Sequence, residues 1–410
     1  MRDEERRITR LLRGWAGFLQ RQEDPFKTNI WRNLVKNFST NLTYQYQSIF
    51  MAGLGASPLI LGYLNSASGL ASTLLSIPTG MMGDRFGIKR VLMLTTVIYI
   101  LSSVIFGLSS TWEIAAIGLI LYAVAFVLDR TSCPMICGST LATEERVTGM
   151  GICDTVSFFP QLIAPIIGAT MITYFGGMNA SGIKPLFWLQ TAGLAASLYI
   201  VWDRFSNPSG HVVGLKSGIF SNISKILEEG VMVRRWILMI MLGSFWWQVA
   251  FYTPLYAAKI KGADQFIIGG MSTAATIVYV FLAIPLGHLA DTWGRKRMIL
   301  SGGVLMILSY VLLIFAPNNL TLLISGFLSG FNMTIGQSQL AIAVDLVPKK
   351  YMGSWFGLMG FFRGLVSIVS PVICGYLWSK VSPESVFWLI IVSLIGSMLV
   401  LLTVPTSVTR

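Results

Sequence analysis

Charged residues are scarce in this sequence. Lys, Arg, Asp and Glu make up only 12% of its 410 residues, whereas soluble domains contain roughly 25%. Because a soluble fold of this size cannot hide an apolar content of 54%, the composition excludes an ordinary soluble enzyme, a disordered chain and a fibrous repeat. It favours a helical membrane protein, in which each span needs roughly 20 apolar residues.

Histidine and cysteine are also rare, with two and four residues respectively. The cysteines lie inside apolar runs, where small buried side chains are the simpler interpretation; they are Cys133, Cys137, Cys153 and Cys374. The sequence has no Ser-His-Asp constellation and no ATP-binding loop. We therefore expect no metal site, no cofactor and no enzymatic activity. A membrane enzyme acting on lipids is a rival hypothesis without a visible catalytic constellation.

Twelve apolar runs account for most of the chain after residue 30. Their approximate bounds are 33–54, 59–82, 90–109, 113–141, 148–175, 184–202, 236–258, 265–290, 297–316, 319–343, 352–379 and 384–404. This pattern predicts an all-α membrane protein with twelve transmembrane helices. The predicted organisation is an N-terminal segment 1–28, a six-helix bundle 29–203, a linker 204–235 and a second six-helix bundle 236–410. The arginine-rich first segment is read as an amphipathic helix on the cytoplasmic leaflet, or alternatively as a disordered tail.

Basic residues are unevenly distributed between the loops. Of the 30 Lys and Arg residues, 24 fall in segments on the side of the N-terminus, counting Arg32 and Lys36, and only 4 on the other side. The positive-inside rule then places both termini in the cytoplasm. A net charge of +12 would suggest nucleic acid in a soluble protein, but its location in loops indicates membrane topology instead.

A short motif occurs twice, after the second and after the eighth apolar run. Its residues are Gly80, Asp84, Arg85, Gly87 and Arg90 in the first copy, and Gly287, Asp291, Gly294 and Arg295 in the second. The two aspartates are 207 residues apart, and the Pro165 and Pro371 landmarks are 206 apart. A shared offset indicates duplication of a six-helix unit.

These residues resemble the G-x-x-x-D-R-x-G-R-K signature of the major facilitator superfamily. Ile88 replaces a basic residue in the first copy, and Thr292 replaces the arginine in the second. The resemblance implies two pseudo-symmetric bundles that work by alternating access. It also implies that Asp84 contacts the opposite half when the cytoplasmic side is closed, as a gate. The alternative is a basic turn that only anchors topology.

The family's antiporter signature, G-P-x-x-G-G in helix 5, is matched only in part. Pro165 and Gly168 are present, but Ala164 and Ala169 replace two glycines. An antiporter inference is correspondingly weakened.

Four charged residues lie deep within apolar runs: Asp129, Arg130, Asp154 and Arg363. A charge at the bilayer centre costs on the order of 3 kcal/mol or more, so each is a functional candidate. Arg130 and Arg363, one in each half, can clamp an anionic group or form internal ion pairs. Asp129 and Asp154 are candidate proton carriers or permanently ionised structural partners. Because the second half has no deep acidic residue, a carboxylate partner of Arg363 would come from the first half.

Polar and aromatic residues concentrate in three of the runs. The candidates are Tyr44, Gln45, Trp246, Trp247, Gln248, Asn332 and Gln337. In the resembling fold, helices 1, 4, 7 and 10 line the central cavity, and such groups suit a small organic ligand. For the tryptophans, contact with lipid is the alternative.

The sequence thus predicts a secondary transporter in the cell membrane, with proton-coupled export of a small organic solute as the leading function. An organic or inorganic anion transporter or exchanger using Arg130 and Arg363 is the alternative within transport. A non-transporting sensor with the same fold is the alternative outside it. The expected partners are the substrate, protons or another coupling ion, and the lipid bilayer, with no nucleic acid and a monomeric state.

Overall fold

The computed structural model describes residues 21–141, 149, 152–153, 156–206, 231–347 and 352–404. Regular structure in these ranges is helical, without strands. The helices of the first half are α1 (Asp24–Thr43), α2 (Gln47–Gly53), α3 (Pro58–Phe86), α4 (Ile88–Leu108), α5 (Trp112–Thr140), α6 (Ala164–Tyr174) and α7 (Ala180–Arg204). A 3₁₀ turn, Tyr44–Tyr46, joins α1 to α2, and a second one, Phe159–Leu162, precedes α6.

The second half repeats this arrangement with more interruptions. Its helices are α8 (Val231–Gly243), α9 (Phe245–Val249), α10 (Tyr252–Lys259), α11 (Gln265–Ile277), α12 (Ala283–Trp293), α13 (Arg295–Phe315), α14 (Asn319–Ser329), α15 (Asn332–Asp345), α16 (Met352–Lys380) and α17 (Pro383–Leu402). A π-helical segment, Val278–Leu282, connects α11 to α12. The apolar runs predicted from the sequence coincide with these helices to within a few residues at most ends.

Nine helices within the described ranges are long and apolar enough to cross a membrane. Helix α1 is not among them, because its buried face carries Asn29, Arg32, Asn33 and Lys36. Arg32 and Lys36, which were counted with the cytoplasmic segment, are buried side chains of this helix, and the orientation of the chain stays a prediction. Removing them leaves the direction of the charge bias unchanged.

Two predicted segments fall largely outside the described residues. Of the N-terminal amphipathic segment, residues 1–20 are not described, and its last part, from Asp24, belongs to α1. Residues 207–230 of the linker are likewise outside the described part.

The duplication is visible in the hydrogen bonds as well as in the sequence. In the first half the Ser102 hydroxyl donates to the Gly118 carbonyl over 2.7 Å. In the second half the Ser309 hydroxyl donates to the Ser325 carbonyl over 2.8 Å. Both pairs are related by the 207-residue offset, and each joins the two helices of an equivalent hairpin. The two halves therefore share internal packing, not only a loop motif.

Each copy of the repeated motif turns the chain through one glycine. Gly87 separates α3 from α4 with φ 81° and ψ 149°, and Gly294 separates α12 from α13 with φ 105° and ψ 132°. These backbone angles are essentially restricted to glycine. The last glycine of each copy is thus required by the turn itself.

The halves pack most extensively where α3 meets α16, and next where α6 meets α11. Small residues bring the backbones together, since a Cβ built on Gly69 would lie 2.6 Å from the Ser367 carbonyl oxygen. The Ser66 hydroxyl also donates across this interface to the Ile368 carbonyl. Close approach of small residues is the usual way in which membrane helices associate.

Candidate substrate cavity

A buried charge cluster joins α1 to α5. Asp129 accepts a hydrogen bond from Arg32 Nη2 over 2.9 Å on one carboxylate oxygen and contacts Lys36 Nζ through the other. Arg32 and Lys36 are four residues apart and therefore lie on one face of α1. We call Arg32, Lys36 and Asp129 the charge triad; its formal charge is one positive in excess.

The triad leaves part of its arginine without a partner. The Arg32 side chain is 1% exposed, and its Nη2 also donates to Asn33. Among the residues that the structure describes, Nε and Nη1 of this guanidinium have no hydrogen-bond partner. Because leaving buried charged donors unpaired is costly, the arrangement favours an additional acceptor beside Arg32.

Arg130 and Arg363 lie on opposite halves and are both solvent-accessible. Within the described part of the chain, neither forms an ion pair with a carboxylate, and Asp129 is already engaged by the triad. Arg130 lies over the Phe126 ring, 5.9 Å from its centroid. Arg130 is near enough for its charge to act on the Arg363 guanidinium, so the two exposed arginines lie within electrostatic range of each other across the halves. Asp154 lies outside the described residues.

Aromatic rings border the same region from both halves. Tyr44 packs against Tyr122 with ring centroids 6.4 Å apart, and Phe158 packs against Tyr279 across the halves at 5.4 Å. The amide of Asn332 donates to the Tyr279 hydroxyl over 3.4 Å. Tyr279 lies in the π-helical segment, a distortion that is common at functional sites.

The remaining predicted lining residues lie in different surroundings. The Gln45 side chain is buried, and its amide has no partner among the described residues. Trp246 packs partly on the apolar core, while Trp247 is 49% exposed; their rings meet edge to face at 5.3 Å. Gln337 is exposed. The Gln248 side chain is outside the described part.

The gating residues are described only in part. The side chains of Asp84, Arg85 and Asp291 and the surroundings of Gly80 lie outside the described part, so the gate stays a prediction. Arg90 is exposed and Arg295 is half-buried. Gly287 lies within α12, where an added Cβ would meet nothing within 4 Å.

Three of the cysteines lie together. The sulfur atoms of Cys133, Cys137 and Cys153 are all within 4.8 Å of one another. Their described neighbours are mostly apolar side chains such as Phe26 and Ile30, with the Asn29 amide donating to Cys153 Sγ. The Lys36 ammonium also acts on Cys133, and the packing role of these cysteines stays a prediction.

Sequence reasoning missed several residues of this region. Arg32 and Lys36 were counted as loop charges, although their four-residue spacing on a polar helix was a signal for a buried partner. Tyr122 and Tyr279 gave no local signal, because an aromatic residue in an apolar run is ordinary. Their importance follows only from the helices that the fold brings together.

These features define a multi-span helical membrane protein with two repeated halves, which bring charged and aromatic side chains together inside the helical bundle. The family model described as Major Facilitator Superfamily matches residues 36–271 and 258–410. The chain belongs to this superfamily of secondary transporters, as the resemblance of its repeated motif implied.

Curated relatives agree with this assignment. The chain is 24% identical over 367 residues to the probable galactarate/D-glucarate transporter GudP of Escherichia coli (strain K12), covering 79% of this chain and 80% of that protein. It is 22% identical over 371 residues to the multi-drug resistance efflux pump PmrA homolog of Lactococcus lactis subsp. lactis (strain IL1403), covering 88% and 90%. Together they indicate a membrane transporter of small molecules.

A solved structure supports the same fold. A point mutant of nucleoside transporter NupG superimposes with a TM-score of 0.76 at 13% identity, covering 93% of this chain and 100% of that one. At this identity the likeness concerns the architecture alone.

Proposed function

We propose that this protein transports an organic anion across the cell membrane by alternating access of its two halves. The observation that carries the proposal is the pair Arg130 and Arg363, two exposed arginines from opposite halves that lie within electrostatic range of each other and have no described carboxylate partner. Planar guanidinium groups bind carboxylates through two parallel hydrogen bonds. An anion between them would offset their repulsion.

The charge balance of the deep residues supports the same substrate class. The deep cations are Arg32 and Lys36, which are buried against the carboxylate of Asp129, and the exposed Arg130 and Arg363. Counting Asp154 as well still leaves an excess of two positive charges. A dicarboxylate substrate would neutralise that excess. Because uncompensated charges in a membrane are expensive, the proposal explains why so many cations are retained there.

Several of the relatives support sugar acids as the substrate class. GudP is named for galactarate and D-glucarate, which are hydroxylated chains with a carboxylate at each end. The hydroxyl groups of such a substrate would suit polar lining groups such as Tyr44, Tyr279 and Asn332. We therefore favour anion transport over the proton-coupled export of a small organic solute, which the sequence alone had put first.

A second candidate is proton-coupled efflux of an aromatic or cationic compound. The rings of Tyr44, Tyr122, Phe158 and Tyr279 and the likeness to a multidrug efflux pump favour it. A cationic drug would have to enter beside Arg130 and Arg363 against their charge, which makes this candidate the weaker one. Proton coupling through Asp129 would first require its release from Arg32 and Lys36, whereas Asp154 remains a hypothesis for this role.

Substrate binding to the purified full chain decides between the two candidates. Galactarate and its uncharged reduced form, galactitol, have the same carbon skeleton and differ in their terminal groups. We expect galactarate to raise the thermal unfolding midpoint and to be accumulated by proteoliposomes, and galactitol to do neither. Equal effects of both, or stabilisation by cationic dyes instead, would overturn the anion assignment. Repeating the uptake with and without a pH gradient tests the coupling ion.

A further inference from the structure

Tyr46 lies at the end of the 3₁₀ turn between α1 and α2 and bonds to both halves. Its side chain is fully buried. The hydroxyl lies 2.9 Å from the carbonyl oxygen of Gln265, in the second half, and 3.2 Å from that of Pro165, in its own half. Since a hydroxyl carries one proton, this is a shared hydrogen bond with its shorter branch across the interface.

Tyr252, at the start of α10, makes the same arrangement in the second half. It is also fully buried. Its hydroxyl lies 2.9 Å from the carbonyl oxygen of Pro58, in the first half, and 3.4 Å from that of Pro371, in its own half. Again the shorter branch crosses between the halves.

The two arrangements are copies of each other in the internal repeat. Tyr252 follows Tyr46 by 206 residues, Pro371 follows Pro165 by 206, and Gln265 follows Pro58 by 207. These offsets match the offset of the repeated motif. The two tyrosines and their carbonyl partners do not form a recognisable sequence motif, so their equivalence becomes visible only in the three-dimensional structure.

A glycine of the opposite half packs against each tyrosine. A Cβ on Gly269 would lie 2.8 Å from the Pro165 carbonyl oxygen and 2.9 Å from the Tyr46 hydroxyl. A Cβ on Gly62 would lie 2.5 Å from the Pro371 carbonyl oxygen and 3.0 Å from the Tyr252 hydroxyl. These two glycines are also 207 residues apart. Both positions require glycine, because the side chain of any larger residue would push the halves apart at this end.

Other hydrogen bonds between the halves lie at the same end. The Gln265 side chain donates to the Thr173 hydroxyl over 2.7 Å, and the Thr273 hydroxyl donates to the Leu162 carbonyl over 3.2 Å. This end is opposite the loops that hold Gly87 and Gly294. Among the described residues, these hydrogen bonds join the halves at this end.

We propose that Tyr46 and Tyr252 are paired latches that hold this end of the cavity closed and release it at low cost. When the halves separate, each hydroxyl loses its acceptor in the opposite half but keeps the proline carbonyl in its own. No buried hydroxyl is left unpaired, so opening avoids the penalty of an orphaned donor. The shorter hydrogen bonds, to the carbonyl groups of the opposite half, favour the closed state. The hydrogen bonds to the proline carbonyl groups of the same half keep the open state accessible.

Distance measurements on the full chain in lipid nanodiscs test this proposal. Spin labels on Ser110→Cys and Asn319→Cys report the separation of the halves. Ser110 is exposed in the loop between α4 and α5, and Asn319 is exposed at the start of α14, directly after the equivalent loop of the second half. The chain without these two added cysteines measures background labelling.

We expect Tyr46→Phe and Tyr252→Phe each to raise the ratio of open to closed populations roughly threefold to tenfold, as for one lost hydrogen bond. The double variant should multiply the two effects.

Tyr256→Phe is the matched control. It lies one turn further along α10, and its hydroxyl bonds to Glu384 within the same half, so the ratio should stay unchanged. Gly269→Ala should open the end by steric contact without removing a hydroxyl. The proposal is overturned if both latch variants, eluting and melting like the parent chain, keep its distance distribution, or if Tyr256→Phe shifts it equally. The proposal rests on alternating access but not on the substrate, so its failure is separable from the binding test above.

Discussion

At the scale of single residues, Arg363 is the most informative, because it has no carboxylate partner among the described residues. Arg363→Lys keeps the charge but loses the planar fork that binds a carboxylate through two hydrogen bonds. We expect the affinity for galactarate to fall about tenfold or more, in line with the loss of one charge-assisted bond of about 1.5–3 kcal/mol. Isothermal titration on the purified protein measures this directly.

The control for that substitution is Arg204→Lys, because Arg204 is an exposed arginine paired with its neighbour Asp203 outside the cavity. The affinity of the Arg204→Lys variant for galactarate should match that of the parent chain. An Arg363→Lys variant with parental affinity would show that the guanidinium does not hold the substrate.

The charge triad makes a prediction about stability. Asp129→Asn leaves Arg32 and Lys36 buried without their shared anion, whereas Lys36→Met leaves an arginine–carboxylate pair. Breaking a buried pair on one side costs about 3–5 kcal/mol, so Asp129→Asn should lower the thermal unfolding midpoint much more than Lys36→Met. Combining the two substitutions should recover part of the loss. If both single variants melt alike and the double variant is worse than either, the triad is not a coupled unit.

What the sequence could predict at this scale depended on the kind of residue. Asp129, Arg130 and Arg363 were identifiable because a charge inside an apolar run is costly and therefore conspicuous. Arg32 and Lys36 were not, because α1 is polar enough to look like a loop next to a membrane. Tyr46 and Tyr252 were invisible, since their role depends on carbonyl groups distant in sequence.

At the scale of elements, the turn between α12 and α13 separates two roles of glycine within one motif. Gly294 has backbone angles that are essentially restricted to glycine, whereas Gly287 lies inside a helix with open space around an added Cβ. Gly294→Ala should cost about 1–3 kcal/mol in backbone strain. Gly287→Ala should be neutral or slightly stabilising, since alanine is favoured over glycine in helices by about 1 kcal/mol.

Thermal unfolding of the two purified variants measures this contrast. Greater destabilisation by Gly287→Ala than by Gly294→Ala would mean that the first glycine of the motif serves a close contact with another part of the chain.

Helix positions were predictable because hydrophobic length and loop charges fix them to within a few residues. Some helices extend beyond their apolar runs because a side chain caps the helix end. Helix α7 begins at Ala180, ahead of its apolar run, because the Asn179 side chain accepts a hydrogen bond from the Gly182 amide over 2.8 Å. The breaks within the second half, at Ser244 and at the π-helical segment, had no hydropathy signal.

At the scale of the whole molecule, the internal duplication predicts that the interactions closing one end and those closing the other end stabilise opposite conformational states. The resemblance to the superfamily implies that Asp84 stabilises closure of the cytoplasmic end. In alternating access, that end closes when the end held by Tyr46 and Tyr252 is open. The two tyrosines stabilise the opposite state. Asp84→Asn should therefore slow transport and shorten the Ser110–Asn319 separation, while Tyr46→Phe lengthens it. Because Asp84 and Tyr46 lie at opposite ends of the helical bundle, their effects should add as free energies.

The combined variant is the sharpest form of this prediction. Asp84→Asn with Tyr46→Phe should restore a distance distribution close to that of the parent chain and recover part of the lost galactarate flux, because both states regain comparable populations. Asp203→Asn is the control, as it removes an exposed aspartate paired only with its neighbour Arg204 among the described residues, and it should leave flux and distances unchanged. If Asp84→Asn slows flux without moving the distances, and adding Tyr46→Phe restores nothing, then the motif anchors topology and the two ends are not coupled through a shared rocking of the halves.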